Sequence, residues 1–183
     1  MDKILIYAIA GPAGAGKDTI INHLLTNYPS TFHKIVSCTT RPPRDYEIEG
    51  EDYHFLTEDQ FIDEIESGNM VEWCSFNNWY YGTRFSDLAC SEGIINIGAF
   101  NPTGVKTLKQ FDNSIIDTKV YYVAAPDKMR LIRQLNREKN PDIEEILRRY
   151  QTDKKDFHNF NYDIILNNNG SYTLGVLTEI IAT

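Results

Sequence analysis

The stretch GPAGAGKDT, residues 11 to 19, follows the apolar run ILIYAIA, residues 4 to 10. Its first seven positions have the pattern Gly-x-x-x-x-Gly-Lys, in which backbone N–H groups at a helix N-terminus curl around phosphate oxygens and the lysine neutralises their charge. The plainer reading is a glycine-rich turn ahead of an ordinary helix. Context separates the two. Residues Lys3 to Ala10 are expected to form a buried strand, and the apolar spacing of Ile20, Ile21, Leu24 and Leu25 predicts a helix after the loop. Strand, glycine-rich loop, helix is the setting that a phosphate loop requires. The eighth position departs from the pattern, because Asp18 stands where a Ser or Thr hydroxyl would meet Mg²⁺. A carboxylate is also a hard-oxygen ligand for that ion. Alternatively, Asp18 faces away and only favours the helix N-terminus.

Outward from the loop, strands and helices alternate. A short strand is expected at Lys34 to Cys38, then an extended polar loop from Thr39 to about Tyr53 containing Pro42, Pro43 and Gly50. Thr57 followed by Gln60 has the form of a capping box, predicting a helix to about Ser67. Strands follow at Met70 to Phe76, Gly93 to Ile97, Lys119 to Ala124 and Asp163 to Leu166. Helices are predicted at Phe85 to Ser91, Asp127 to about Lys139, Ile143 to His158 and Thr173 to Ile181, with Asn167 to Gly170 as a turn. This order predicts an α/β fold with a central parallel sheet flanked by helices.

Bulk properties narrow the function. The 183 residues suit one domain, and a net charge of −8 argues against a non-specific grip on nucleic acid or on an anionic membrane. Cys38, Cys74 and Cys90 are odd in number and show no Cys-x-x-Cys spacing, so reduced thiols in a cytoplasmic protein are expected. The apolar N-terminal run is too short to span a bilayer. An anionic small molecule is still accommodated wherever arginines cluster. Residues 37 to 55, SCTTRPPRDYEIEGEDYHF, offer such a cluster: Arg41 and Arg44 supply forked donors and Tyr53 a neutral one. Taken alone, a solvated polar loop explains that segment equally well.

Together with VEWCSFNNWYYGT at residues 71 to 83, that segment resembles the nucleotide-monophosphate-binding insert of guanylate kinases. The resemblance runs from about Ile4 to the C-terminus and is densest from Ile35 to Thr83. It implies a P-loop nucleoside monophosphate kinase fold, with core 1–34, 84–126 and 159–183, a GMP-binding insert 35–83 and a helical lid 127–158. It further implies transfer of the γ-phosphoryl group of ATP to GMP with Mg²⁺, by a monomer or homodimer without nucleic-acid or membrane partners. Under it, Arg41, Arg44, Tyr53 and Tyr81 grip the GMP phosphate, and Ser37, Glu72 and Thr83 read guanine. One carboxylate can accept both guanine N1–H and N2–H₂, which adenine lacks. Gly11, Ala13, Gly14, Ala15, Gly16, Lys17, Asp18 and Thr19 bind ATP, and Asp18, which departs from the pattern, is the candidate metal ligand. Arg133, Arg137 and Arg149 join Lys17 and Arg44 around the transferring group, Arg148 being the competing match for Arg149. Asn167 and Asn168 match a turn beside the ATP base.

The pattern is broken at one strand end. Guanylate kinases usually carry Asp-x-Asp where this chain has Asn96 and Gly98, and residues 99 to 104 are about two longer than expected. The acid gained at Asp18 is a candidate replacement for those lost. Two other readings compete: a kinase of the same fold acting on a deoxynucleotide or a ribose bisphosphate, and a weakly active or non-catalytic binding module.

Overall fold

The computed structural model describes residues 3–45, 47–76, 78–111, 114–137, 139–171 and 174–182. The strands are β1 (Ile4–Ala10), β2 (Phe32–Lys34), β3 (Cys38–Thr39), β4 (His54–Phe55), β5 (Met70–Phe76), β6 (Trp79–Arg84), β7 (Ile95–Phe100), β8 (Ile116–Ala124) and β9 (Ile164–Asn167). The helices are α1 (Lys17–Asn27), α2 (Glu58–Glu66), α3 (Pro102–Gln110), α4 (Asp127–Leu135), α5 (Ile143–Asp156) and α6 (Leu174–Ala182). A five-stranded sheet has the order β2-β7-β1-β8-β9, and a four-stranded sheet has the order β4-β3-β6-β5. In the larger sheet β2 runs parallel to β7, and β8 parallel to β9. The continuous apolar run of β1 fits this placement: Ile6, Ala8, Ile9 and Ala10 are fully buried, as expected for a strand covered on both faces.

By contact density the chain divides into two compact units. One comprises Met1–Tyr7, Ser30–Gly98 and Thr103–Thr118; the other comprises Ala8–Pro29, Ala99–Pro102 and Lys119–Thr183. The expected insert, 35–83, lies wholly in the first unit, and the expected lid, 127–158, lies wholly in the second.

Local chemistry explains where expectation and structure agree. At α2 the box is complete: Gln60 N donates to Thr57 Oγ1 at 3.2 Å, and Thr57 N donates to Gln60 Oε1 at 2.9 Å. Phe61 then anchors that helix, fully buried and stacked on Tyr80 of β6 at 5.4 Å. Three expectations are corrected. The strand predicted at 34–38 is two strands, because β2 pairs with β7 whereas β3 pairs with β4 and β6. The helix predicted at 85–91 is a single 3-10 turn, Phe85–Asp87. It stops because the Asn96 side chain takes both backbone groups of Ala89, accepting from its N at 2.7 Å and donating to its O at 2.9 Å. The third correction is α3, which the sequence hides: Pro102 suits a first helical turn, but Thr103, Gly104 and Thr107 are weak helix formers.

Candidate active site

In the second unit, the loop between β1 and α1 bends through three glycines with positive φ. Gly14, at φ 76°, leaves no room for a side chain, since a Cβ there would lie 2.5 Å from the Arg130 carbonyl oxygen. Lys17 turns back over the loop and donates to the Gly11 carbonyl at 2.7 Å. Burial pushes its ammonium below the usual lysine range, while Asp18 and Asp153 pull it back up. Asp18 and Thr19 lie exposed in the first turn of α1.

The outer carbonyls of the loop are also held. Arg133 donates to Gly14 O at 3.1 Å and Ala15 O at 3.2 Å, and Asn168 donates to Ala15 O at 2.8 Å. So the structure brings Arg133 and Asn168 to the loop, against its backbone. Asn167 ends β9 with its side chain exposed. Arg137 is exposed in the turn after α4, close enough to contribute to the lowered Lys17 pKa. Arg148 and Arg149 share one carboxylate: Arg149 Nε lies 2.6 Å from Glu145 Oε1, and Arg148 contacts both Glu145 oxygens at 2.7 and 2.8 Å. These donors hold the Glu145 carboxyl down to about 2.

In the first unit, β3, β4, β5 and β6 gather the second set of expected residues. Arg41 Nη2 meets Glu47 Oε1 at 2.8 Å, and Arg44 Nη1 meets the same oxygen at 3.2 Å. The Arg44 backbone N donates to Glu47 Oε2 at 2.8 Å. The Arg41 guanidinium lies over the Tyr53 ring at 5.5 Å, and Tyr53 meets Tyr81 edge-on at 6.2 Å. Arg41, Arg44, Tyr53 and Tyr81 are thus brought together in one group. Glu47, which joins the two arginines, was missed. Its spacing of three and six residues from them was the available signal.

Glu72 and Thr83 face each other across β5 and β6, which pair at that position. Thr83 Oγ1 donates to Glu72 Oε1 at 2.9 Å, and Glu72 is only 5% exposed. Burial raises the Glu72 carboxyl to about 7, against a smaller lowering from Thr83. Ser37 is half-buried at the entry to β3, and its carbonyl accepts from His54 N at 2.9 Å. Asn96, at the broken strand end, is fully buried and donates to Leu5 O at 3.2 Å in addition to its two bonds to Ala89. Its amide is therefore spent as a brace.

Comparison with known proteins follows the same lines. The guanylate kinase family model matches residues 3–181. The guanylate kinase of Wigglesworthia glossinidia brevipalpis is 36% identical over 99% of this chain and 88% of its own length. That of Thermotoga maritima is 31% identical over 96% of this chain and 85% of its own length. A crystal structure of guanylate kinase from Anaplasma phagocytophilum superposes with a TM-score of 0.72, covering 100% of this chain and 84% of that one at 19% identity. With a glycine-rich loop after β1, an arginine–tyrosine group beside the four-stranded sheet and a family match of this length, the chain belongs to the guanylate kinase family.

Proposed function

We propose that this chain phosphorylates GMP to GDP, taking the γ-phosphoryl group from ATP. The observation that carries the choice of base is the buried Glu72 carboxyl with Thr83 as its donor. As a carboxylate it accepts guanine N1–H and N2–H₂ together; against adenine it would remain a buried, unmatched charge. Ser37 serves the guanine O6 side, while Thr83, whose single hydroxyl proton goes to Glu72, holds that carboxylate in place. Arg41, Arg44, Tyr53 and Tyr81 bind the GMP phosphate through forked and neutral donors. The loop amides from Gly11 to Thr19 bind the ATP phosphates, and Lys17 shifts from the Gly11 carbonyl to the phosphate oxygens. Arg133, Arg137 and Arg149 neutralise charge on the transferring group, with Asn167 and Asn168 towards the adenine. Positioning and charge neutralisation are enough for this reaction, which needs little covalent assistance.

The residues present fit Mg²⁺. Among the described residues no group of three or more His, Cys, Asp or Glu side chains could hold a metal. Mg²⁺ commonly uses only one or two carboxylates, completed by substrate phosphates and water. The exposed Asp18 supplies one such oxygen beside Lys17. The ion would bring charge neutralisation to the phosphates when bound. A cytoplasmic enzyme, monomeric or homodimeric, is the corresponding setting, and no described helix is long and apolar enough to cross a membrane.

A coupled ADP-release assay over GMP, dGMP, AMP, CMP, UMP and a ribose bisphosphate tests the proposal. Turnover with GMP or dGMP well above the others is expected. Turnover confined to another acceptor, or none at all, overturns it.

A further inference from the structure

The two peptides that meet at Ala13 are each gripped by one member of an ion pair that the phosphate-binding pattern does not contain. The Ala13 N–H donates to Asp153 Oδ2 at 2.8 Å, and the Ala13 carbonyl accepts from Arg130 Nε at 3.0 Å. The two side chains are themselves paired, Arg130 Nη2 to Asp153 Oδ2 at 2.9 Å. Arg130 comes from α4 and is only 4% exposed, while Asp153 comes from α5. The grip is braced further out. Arg130 Nη1 holds Asp127 Oδ1 at 3.0 Å, Tyr150 OH donates to Asp127 Oδ2 at 2.6 Å, and the guanidinium lies over the Tyr150 ring at 5.5 Å.

We infer that Arg130 and Asp153 are positioning residues for the ATP loop: Asp153 fixes the Pro12–Ala13 peptide and Arg130 the Ala13–Gly14 peptide, and together they preset the N–H groups that follow. This rests on reading residues 11 to 19 as the ATP site. The physical case is one of cost. A loop turning through positive φ at Gly11, Gly14 and Gly16 has the freedom to leave its phosphate-binding shape. Nested amides bind an anion tightly only if their ordering has been met before the anion arrives. Neither of these neighbouring peptides can rotate without breaking a charge-assisted hydrogen bond. The same bracket fastens α4 and α5 to the loop, so the two helices carrying Arg133 and Arg149 share its frame. Asp153 also lies near enough to Lys17 to favour its charged form.

The test uses the full chain carrying Asp153→Asn, and separately the double variant Arg130→Met/Asp153→Leu. The double variant replaces both charges with apolar side chains, so neither is left buried and unpaired. Hydrogen exchange of the Ala13 and Gly14 amides in the nucleotide-free protein reads the loop directly. An acceleration of about tenfold or more in both variants is expected, since each loosens the Asp153 hold. ATP binding by calorimetry should weaken about tenfold, KM for ATP should rise similarly, and KM for GMP should be unchanged. Exchange and ATP affinity equal to wild type in either folded variant overturn the bracket. So does a loss that falls equally on ATP and GMP, which marks a general structural role. Wild-type chain that binds no ATP defeats the reading of the loop instead, and the exchange rates still decide whether the bracket holds it.

Discussion

Glu72→Gln should stabilise the nucleotide-free protein at alkaline pH while impairing its hold on GMP. Burial lifts the folded-state Glu72 carboxyl from 4.5 to about 7. Between those values the folded chain binds a proton that the unfolded chain has released. Stability from this group is therefore complete below about pH 4.5, falls as pH rises towards 7, and stays reduced above it. At about 1.4 kcal/mol per tenfold change in proton affinity, the loss amounts to about 3 kcal/mol. For a chain of this size that is roughly 9 °C in melting temperature. Gln keeps an acceptor for Thr83 and does not titrate, so the variant should melt higher than wild type at pH 8, with the gap closing towards pH 5. GMP should reverse the order. The carboxylate form accepts two guanine donors, and wild-type affinity should fall about tenfold per pH unit below 7. Dividing by the affinity of Glu72→Gln removes titration of the GMP phosphate, common to both proteins. Melting curves at pH 5, 6, 7 and 8 without nucleotide, with GMP and with AMP are sufficient. Parallel wild-type and variant profiles, or an unchanged preference for GMP over AMP, refute the reasoning.

Other outcomes follow from the same contacts. Arg41→Met should raise KM for GMP about a hundredfold by removing charged donors, while KM for ATP stays within about twofold; steady-state kinetics with each substrate varied decides it. Lys17→Met should lower kcat by roughly a thousandfold through loss of charge neutralisation at the phosphates, measured by single-turnover phosphoryl transfer. Asp18→Asn should raise the Mg²⁺ concentration for half-maximal rate about tenfold; an unchanged Mg²⁺ titration removes Asp18 from the metal's surroundings. Restoring the family's acid with Asn96→Asp should destabilise the fold by about 2 kcal/mol at pH 8, because a buried carboxylate would face the Leu5 and Ala89 carbonyls. Denaturation at pH 5, where that carboxyl is protonated and can donate, should recover part of the loss.

Much of the architecture was legible because its signals are local. The Thr57–Gln60 box needs only three residues of spacing, and β5 carries its own β-rich pattern, so both were placed from the sequence. The 85–91 segment was misread because its fate depends on Asn96, whose side chain takes the backbone groups a helix would have used. No window around residue 88 contains that information. The arginines show the same limit. Residue type and order pointed to Arg41 and Arg44, but not to the Glu47 carboxylate between them. Likewise Arg130 reads as one more charge on a helix. Only the packing of α4 against the loop reveals it as buried and bonded to Ala13.

If Arg41 and Arg44 hold the GMP phosphate as proposed, their pairing with Glu47 has a kinetic consequence. Two guanidinium charges less one carboxylate leave the group with one net positive charge before any ligand arrives. A phosphate dianion turns that to one negative, so the seat is never strongly over-charged in favour of its occupant. Without Glu47, the two guanidinium groups would bind phosphate more tightly and release it more slowly. An acceptor seat in a turnover cycle must empty as readily as it fills, and an internal carboxylate that competes for the same donors gives the departing nucleotide a ready replacement.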